Sequence, residues 1–170
     1  ACTRMRGIPP LNDIASSEVS DNHCPSASTI LGKLRKKIES AIPQQGQSEA
    51  ANVIDIGLCI IDTENDTMQF AGAHSPLFIV RNGNLTVIDS DNIHIGDTDN
   101  EHNEFTNTKI AIRPGDVVYL YTDGIASQLN HEGGQSNENL ISLLTSINPL
   151  PFDKQSEIIN NAINTTASGS

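Results

Sequence analysis

The residues best placed to do chemistry are a carboxylate and a glycine, Asp123-Gly124, at the end of a strongly patterned stretch. Residues 109–113 and 117–121 alternate as β-strands do, and the turn Pro114-Gly115-Asp116 joins them in a hairpin. A carboxylate at the end of a buried strand can be presented to a metal ion or a substrate. Asp-Gly is also ordinary turn chemistry, so the alternative interpretation of Asp123 is a turn cap.

The five histidines do not form a metal-binding motif. No two of them have the i,i+3 or i,i+4 spacing that places ligands on one helix face. His74 lies at a corner between two predicted strands. Asp55 begins a strand, and we expect it to anchor a loop rather than a metal. The histidines are His23, His74, His94, His102 and His131.

Residues 90–107 form a predicted acidic loop. The alternating acidic residues Asp97, Asp99 and Glu101 are superficially like a calcium loop, but the glycine and distant glutamate of an EF-hand are out of register. We therefore predict a solvated loop. In the Pro-Gly-Asp turn, backbone hydrogen bonds suffice to explain Asp116. The serines lie in no nucleophile-elbow context, which argues against a serine hydrolase.

Composition excludes several classes of protein. The 170 residues carry a net charge of −11, and the longest basic run is Arg35-Lys36-Lys37, so nucleic-acid binding is not expected. No apolar run reaches the roughly 18–20 residues of a membrane span. The three cysteines have no CxxC pair, and Cys59 lies in an apolar strand, which predicts a core residue and a reducing, cytoplasmic location.

The strand pattern predicts an antiparallel meander. Residues 53–62 are apolar almost throughout, as in a central strand covered on both faces, and residues 67–73 return after a turn. Residues 76–81 and 85–89 flank Asn82-Gly83-Asn84, a strong hairpin signal. Four consecutive strands without crossover helices favour an antiparallel sheet over a doubly wound one.

Helices are predicted on both sides of the strands, giving one α+β domain over residues 1–170 with an irregular segment at 1–28. Residues 29–42, preceded by a cap at Ser26 or Ser28, have apolar residues at helical spacing. Residues 138–147 form a second helix, and Asp153 is expected to cap a third. The first helix has apolar positions Ile30, Leu31, Leu34, Ile38 and Ile42, and the solvated face Lys33, Arg35, Lys36, Lys37 and Glu39. The third helix has predicted core positions Ile158, Ile159, Ala162 and Ile163.

In combination, these segments resemble the SpoIIE-type branch of the PPM metal-dependent serine/threonine phosphatases. The resemblance runs from Ser26 to about Asn164, and the combination is more specific than any one block. The matching blocks, in order, are DIGLCIID at 55–62, MQFAGAHSPLFIVRNG at 68–83, IHIGD at 93–97 and IRPGDVVYLYTDGI at 112–125.

The resemblance implies a fold, an activity and a cofactor. The fold is an antiparallel β-sandwich flanked by helices, with a binuclear Mn²⁺ or Mg²⁺ site whose bridging hydroxide attacks phosphoserine or phosphothreonine. By position, Asp123 matches the family's metal-binding aspartate, and Gly124 lets the strand turn there. The implied partner is a phosphoprotein of a signalling pathway. The implied setting is cytoplasmic, as the output domain of a larger sensor protein; a homodimer is compatible with this interpretation and is not decided by the sequence.

The sequence also departs from the family pattern. The family's D-x-T-G-H-G motif corresponds to residues 1–9, where Ala1 stands in place of the aspartate, and Arg4 and Arg6 flank the position of its histidine. The strands before this motif and the acidic segment after Asn164 have no counterpart. One carboxylate does not hold two Mg²⁺ ions. Two hypotheses therefore remain: a metal-dependent phosphatase, or a catalytically inactive domain that binds a partner or transmits a signal.

Overall fold

The computed structural model describes residues 24–41, 53–96, 104–129 and 137–167, with side chains as far as Asn164. Most of the irregular segment predicted at residues 1–28 lies outside these ranges. The chain divides into two compact units. The first contains the described residues as far as His74 and those from Asp89 to Arg113, and the second contains Ser75–Ile88 and the residues from Pro114 onward.

The first unit begins with helix α1 (Ala27–Ala41), close to the predicted helix. Its N-terminus is capped by Ser26, whose Oγ accepts a hydrogen bond from the backbone N–H of Thr29 at 3.2 Å. The prediction of a serine cap is confirmed, because such an oxygen satisfies an amide that has no partner within the helix. Ala27 and Leu31 are fully buried in the core of this unit.

One prediction about α1 is wrong: Arg35 does not lie on a solvated face. The residue is only 4% exposed. Its Nε donates to Glu39 Oε1 at 2.7 Å, one helical turn away, and its guanidinium carbon lies 5.9 Å from the centroid of the Phe105 ring. The aliphatic part of an arginine can pack against apolar neighbours while the charged head finds partners, so a basic run need not face water throughout.

The sheet of the first unit contains strands β1 (Ile56–Asp62), β2 (Thr67–Ala73) and β5 (Thr108–Ala111), in the order β1-β2-β5 with antiparallel pairing. Among the described residues β2 is therefore the central strand and β1 lies at an edge, so the central position predicted for residues 53–62 is not found there. Their apolar side chains do not all enter the core: Cys59 is buried as predicted, whereas Ile61 is 38% exposed. A continuous apolar run does not distinguish an edge strand from a central one, because hydrogen-bonding neighbours are set by tertiary pairing.

The sheet of the second unit contains β3 (Leu77–Arg81), β4 (Asn84–Ile88) and β6 (Val117–Leu120), in the order β4-β3-β6. The Asn-Gly hairpin is confirmed. Asn82 and Gly83 have φ values of 51° and 77°, the left-handed conformation that a two-residue hairpin turn requires. Strand β3 is the central strand, and four consecutive side chains from Leu77 to Val80 are buried.

Helices α2 (Asp123–Leu129), α3 (Glu138–Ile147) and α4 (Phe152–Ala167) complete the second unit. The bounds of α3 are those predicted. Asp153 lies within the first turn of α4 rather than at its cap, because Phe152 already begins the helix. The predicted core positions of α4 are only partly buried, and its buried side chain is Gln155.

The predicted four-strand meander is wrong in one respect, since the chain changes sheets between β2 and β3. The two strands on either side of Pro114-Gly115-Asp116 likewise pair with β2 and β3 and not with each other. The mixed class of helices and antiparallel sheets is confirmed. In the part of the chain that is described, no helix has the length and apolar character needed to cross a membrane.

Candidate functional site

Asp123 is the first residue of helix α2 and is exposed. Strand β6 ends at Leu120, and the helix starts after Tyr121 and Thr122, where the Ile125 N–H donates to the Thr122 carbonyl at 3.0 Å. The carboxylate therefore lies at a helix N-terminus, where the unpaired amides and the helix dipole favour negative charge. The turn-cap alternative and the metal-ligand prediction both remain compatible with this position.

Tyr121, which precedes Thr122 and helix α2, is held in place by two side-chain contacts. The Tyr121 ring stacks on Phe78, with centroids 4.7 Å apart, and its hydroxyl accepts a hydrogen bond from Asn137 Nδ2 at 2.8 Å. Burial and then the charge of Asp123 raise the pKa of the Tyr121 hydroxyl above its ordinary value. These contacts fix the backbone leading into Asp123 while the carboxylate itself stays accessible.

The expectation that Gly124 lets the strand turn at this position is wrong. The residue lies inside α2 and not in a turn of the strand, and its φ is not in the left-handed region. A Cβ there would meet Thr122 Oγ1 at 3.7 Å, an ordinary van der Waals distance. Neither conformation nor space in this unit requires glycine at position 124.

Asp116 has a partner that the sequence did not suggest. Its carboxylate receives two hydrogen bonds from Arg81, Nε to Oδ1 at 2.8 Å and Nη2 to Oδ2 at 2.7 Å. The Asp116 side chain is only 5% exposed. This bidentate pair ties the turn before β6 to the end of β3 and gives Asp116 a structural role through Arg81.

The first unit contains a cluster of three potential ligands: Asp55, His74 and His94. Asp55 Oδ1 lies 2.6 Å from His94 Nδ1, and Asp55 Oδ2 lies 3.3 Å from His74 Nδ1. The two imidazole rings are 4.0 Å apart between centroids and tilted by 34°. Among the described residues, this is the group of acidic, histidine and cysteine side chains that could hold one ion.

Strand register explains why these residues meet. Ile56 pairs with Ala73 in the antiparallel β1–β2 ladder, so the preceding residue, Asp55, faces His74. An isolated antiparallel bridge joins Ile54 to Ile95, so Asp55 also faces His94. Directly opposed residues have Cβ atoms about 4.5–5.5 Å apart. Asp55 is consequently the cross-strand neighbour of both histidines.

Sequence reasoning missed this cluster because it searched for local spacing. Asp55 was expected to anchor a loop, and the histidines were set aside for lacking helical periodicity. The conformation of His74 is an additional feature, since its φ of 48° is uncommon for a residue with a side chain. Arg4, Arg6, the acidic residues at 97–101 and the histidines at 23, 102 and 131 lie outside the described residues.

A protein-family model described as Stage II sporulation protein E (SpoIIE) matches residues 12–170. The match begins after residues 1–9, where the counterpart of the D-x-T-G-H-G motif was placed, so it does not cover them. Among curated proteins, none matches the sequence.

Solved structures share the fold. One, the SiaA-PP2C domain of Pseudomonas aeruginosa, has a TM-score of 0.70 at 24% identity, over 83% of this chain and 54% of that one. Another, the PP2C phosphatase domain with a fragment of the regulatory domain of the cell fate determinant SpoIIE from Bacillus subtilis, has a TM-score of 0.59 at 19% identity. That match covers 84% of this chain and 41% of the other. This chain thus spans about half the length of these structures or less.

Proposed function

The chain belongs to the SpoIIE family, and on that premise we propose that it is a metal-dependent phosphatase acting on phosphoserine or phosphothreonine of a signalling protein. The observation that carries the proposal is the family match over residues 12–170, together with the PP2C-domain fold. Fold alone does not imply an activity, so the proposal also needs a site.

Asp123 is the residue we assign to the metal. It is exposed at the start of α2, separated by two residues from the end of strand β6. The stacking of Tyr121 on Phe78 holds the backbone between the strand and the helix in place. In this position the carboxylate can bind a hard divalent cation without disturbing the packed side chains behind it. Gly124 belongs to the same proposal through its place in the motif, although the fold itself does not require it.

The described residues do not by themselves fit a two-metal centre. Among them, Asp123 belongs to no group of three acidic, histidine or cysteine side chains close enough to share one ion. Mg²⁺ needs near-octahedral oxygen ligation, and Mn²⁺ also takes oxygen ligands, so one carboxylate with water would bind either ion weakly. Activity therefore requires further carboxylates from beyond the described residues.

The decisive experiment measures phosphate release from a phosphoserine peptide by the chain with millimolar Mn²⁺. We expect hydrolysis that EDTA abolishes. Asp123→Asn should lower it by at least about 100-fold, because even indirect contacts to a metal ligand are worth about 10–100-fold. Asp153→Asn is the matched control, since Asp153 is also an exposed aspartate in the first turn of a helix of the same unit. Equal activity of the Asp123 variant and the control would remove Asp123 from the mechanism.

A second candidate function is a catalytically inactive domain that binds a partner or transmits a signal. The observation that favours it is that, among the described residues, Asp123 belongs to no group of three side chains that could share one ion. If the chain releases no phosphate with Mn²⁺ or Mg²⁺ but still binds an unphosphorylated partner protein, this function replaces the first.

The partner and location complete the proposal. The net charge of −11 favours a partner with a basic face over a nucleic acid. A cytoplasmic location is supported by Cys59, a buried thiol that forms no disulfide. Analytical ultracentrifugation under the same buffer conditions measures whether the chain is a monomer or a homodimer.

A further inference from the structure

The cluster of Asp55, His74 and His94 is assembled by backbone contacts that do not depend on the side chains themselves. The His74 N–H donates to the Asp91 carbonyl at 2.9 Å, and the Asp91 N–H donates to the Gly72 carbonyl at 3.0 Å. Ile54 and Ile95 exchange two backbone hydrogen bonds of 2.9 and 3.1 Å. Each of the three side chains is therefore fixed within one residue of a paired backbone position.

We propose that Asp55, His74 and His94 bind one divalent cation of the zinc class, through the Asp55 carboxylate and one ring nitrogen from each histidine. Zn²⁺, Co²⁺ and Ni²⁺ suit a site of two imidazoles and a carboxylate, whereas Mg²⁺ prefers oxygen ligands throughout. Asp123 is not among these three residues, and this inference does not rest on the phosphatase proposal.

The distances suit one small ion. The donor atoms of the three residues lie within 4.8 Å of one another. Bonds of about 2.0–2.2 Å around a tetrahedral ion place its donors about 3.3–3.5 Å apart. The separation of 3.3 Å between Asp55 Oδ2 and His74 Nδ1 already has this value. The 2.6 Å contact of the other carboxylate oxygen, Oδ1, with His94 Nδ1 has to open by less than about 1 Å.

The side chains have room for that adjustment. The exposed fractions are 39% for the side chain of His74, 30% for that of His94 and 29% for that of Asp55. Partial exposure also gives the ion a path of entry and leaves its fourth position open to water. Asp91, which is next to the cluster through its backbone, has its carboxylate held by the N–H and hydroxyl of Thr106 at 2.7 and 2.8 Å.

A bound ion would join three segments: the residue before β1, the residue after β2 and the segment of residues 91–95. Binding to the folded chain alone stabilises it by mass action, so at a hundredfold excess over the dissociation constant the thermal midpoint should rise by about 5–10 °C. This rise is a readout that does not involve phosphatase activity.

The test is calorimetric titration of the reduced full chain with Zn²⁺ in the presence of millimolar Mg²⁺, followed by thermal unfolding with and without Zn²⁺. We expect one Zn²⁺ per chain. His74→Asn and His94→Asn should each weaken binding by at least about tenfold and reduce the thermal shift. Chemical shifts of the imidazole nitrogens, measured by ¹⁵N NMR, should change for these two histidines on adding Zn²⁺.

Three controls make the result decisive. Asp123→Asn and His131→Asn should keep the affinity of the unmodified chain, and Asp55→Asn should lose it while the protein remains folded without metal. Retention of affinity and thermal shift in the double variant His74→Asn/His94→Asn would overturn the proposal. Equal weakening in His131→Asn would also contradict it, because the ion would then not be assigned to the cluster.

Discussion

Arg81 holds the carboxylate of Asp116 through two hydrogen bonds of 2.8 and 2.7 Å, across 35 positions of sequence. The pair ties the end of β3 to the turn that begins β6, and so supports the strand leading to Asp123. The hydrogen bonds to Asp116 raise the pKa of the Arg81 guanidinium.

We expect Arg81→Lys to lower the thermal midpoint almost as much as Arg81→Ala. An ammonium group cannot reproduce the two parallel hydrogen bonds of a guanidinium, and the Asp116 carboxylate stays buried in both variants. Thermal unfolding of both variants, and of Arg113→Lys as an exposed arginine control, measures the difference. A thermal midpoint of Arg81→Lys equal to that of the unmodified protein would contradict the role of the two parallel hydrogen bonds.

Gln155 is expected to be important for the stability of the second unit. The Tyr119 hydroxyl donates to Gln155 Oε1 at 2.8 Å, and Gln155 Nε2 donates to the carbonyls of Leu150 at 2.8 Å and Asn148 at 3.3 Å. Gln155→Leu removes the partner of these partly buried groups and should cost about 1–3 kcal/mol in the free energy of unfolding. Urea denaturation measures that cost.

Gln128→Leu is the control for this change, since Gln128 is exposed on α2. It should change the free energy of unfolding by no more than about 0.5 kcal/mol. Tyr119→Phe removes one hydrogen bond of the network. It should lower the free energy of unfolding by an amount between those of Gln155→Leu and Gln128→Leu. Similar values for all three variants would show that the network contributes no more than an ordinary surface position.

Cys59 should make the protein less stable at alkaline pH. Burial raises the pKa of its thiol from 9.0 to about 11. Between these values the unfolded chain releases the proton while the folded chain retains it. The contribution of Cys59 to the free energy of unfolding is therefore complete below pH 9 and is lost as the pH rises towards 11. The loss should be on the order of 2 kcal/mol.

Denaturant unfolding at several pH values between 8 and 11 tests this prediction. Cys59→Ala should show a shallower decline, and Cys24→Ala, at an exposed position, should keep the original slope. Burial also raises the pKa of the Tyr119 hydroxyl, so some decline should persist in both variants. The prediction is wrong if the two slopes are equal.

Three glycine-to-alanine variants should have different effects. Gly83→Ala should destabilise by about 1 kcal/mol, because φ is 77° at this hairpin position. Gly32→Ala should stabilise by up to about 1 kcal/mol, since Gly32 lies inside α1 with nothing within 4 Å of the added Cβ. Gly124→Ala should be nearly neutral for folding. Thermal unfolding of all three tests whether conformation or space decides each position.

Much of the secondary structure follows from local sequence. The bounds of α3 and β2 agree with prediction because their apolar periodicity is strong and their ends are marked by proline or turn residues. Ser26 and the Asn82-Gly83 turn were predictable for the same reason, since capping and turn geometry depend on a few neighbouring residues. The motif blocks also led to the correct family.

Partners across the chain were not predictable in this way. Arg35 and Gln155 are polar residues, yet both are buried, Arg35 beside the ring of Phe105 and Gln155 with a hydrogen bond from the Tyr119 hydroxyl. Strand order has the same origin: β1 is as apolar as a central strand but lies at an edge of the sheet formed by the described residues. The periodicity of apolar residues indicates which face of a helix or strand can be buried. It does not indicate which other part of the chain packs against that face.

The sequence by itself determined helices α1, α3 and α4, the β1–β2 and β3–β4 hairpins, the α+β class and, through its motifs, the SpoIIE family and the interest of Asp123. Only the tertiary structure brought Asp55, His74 and His94 together, across separations of 19 and 39 positions. The physical reason is register, because two antiparallel pairings place one aspartate opposite both histidines. No local spacing in the chain encodes that coincidence.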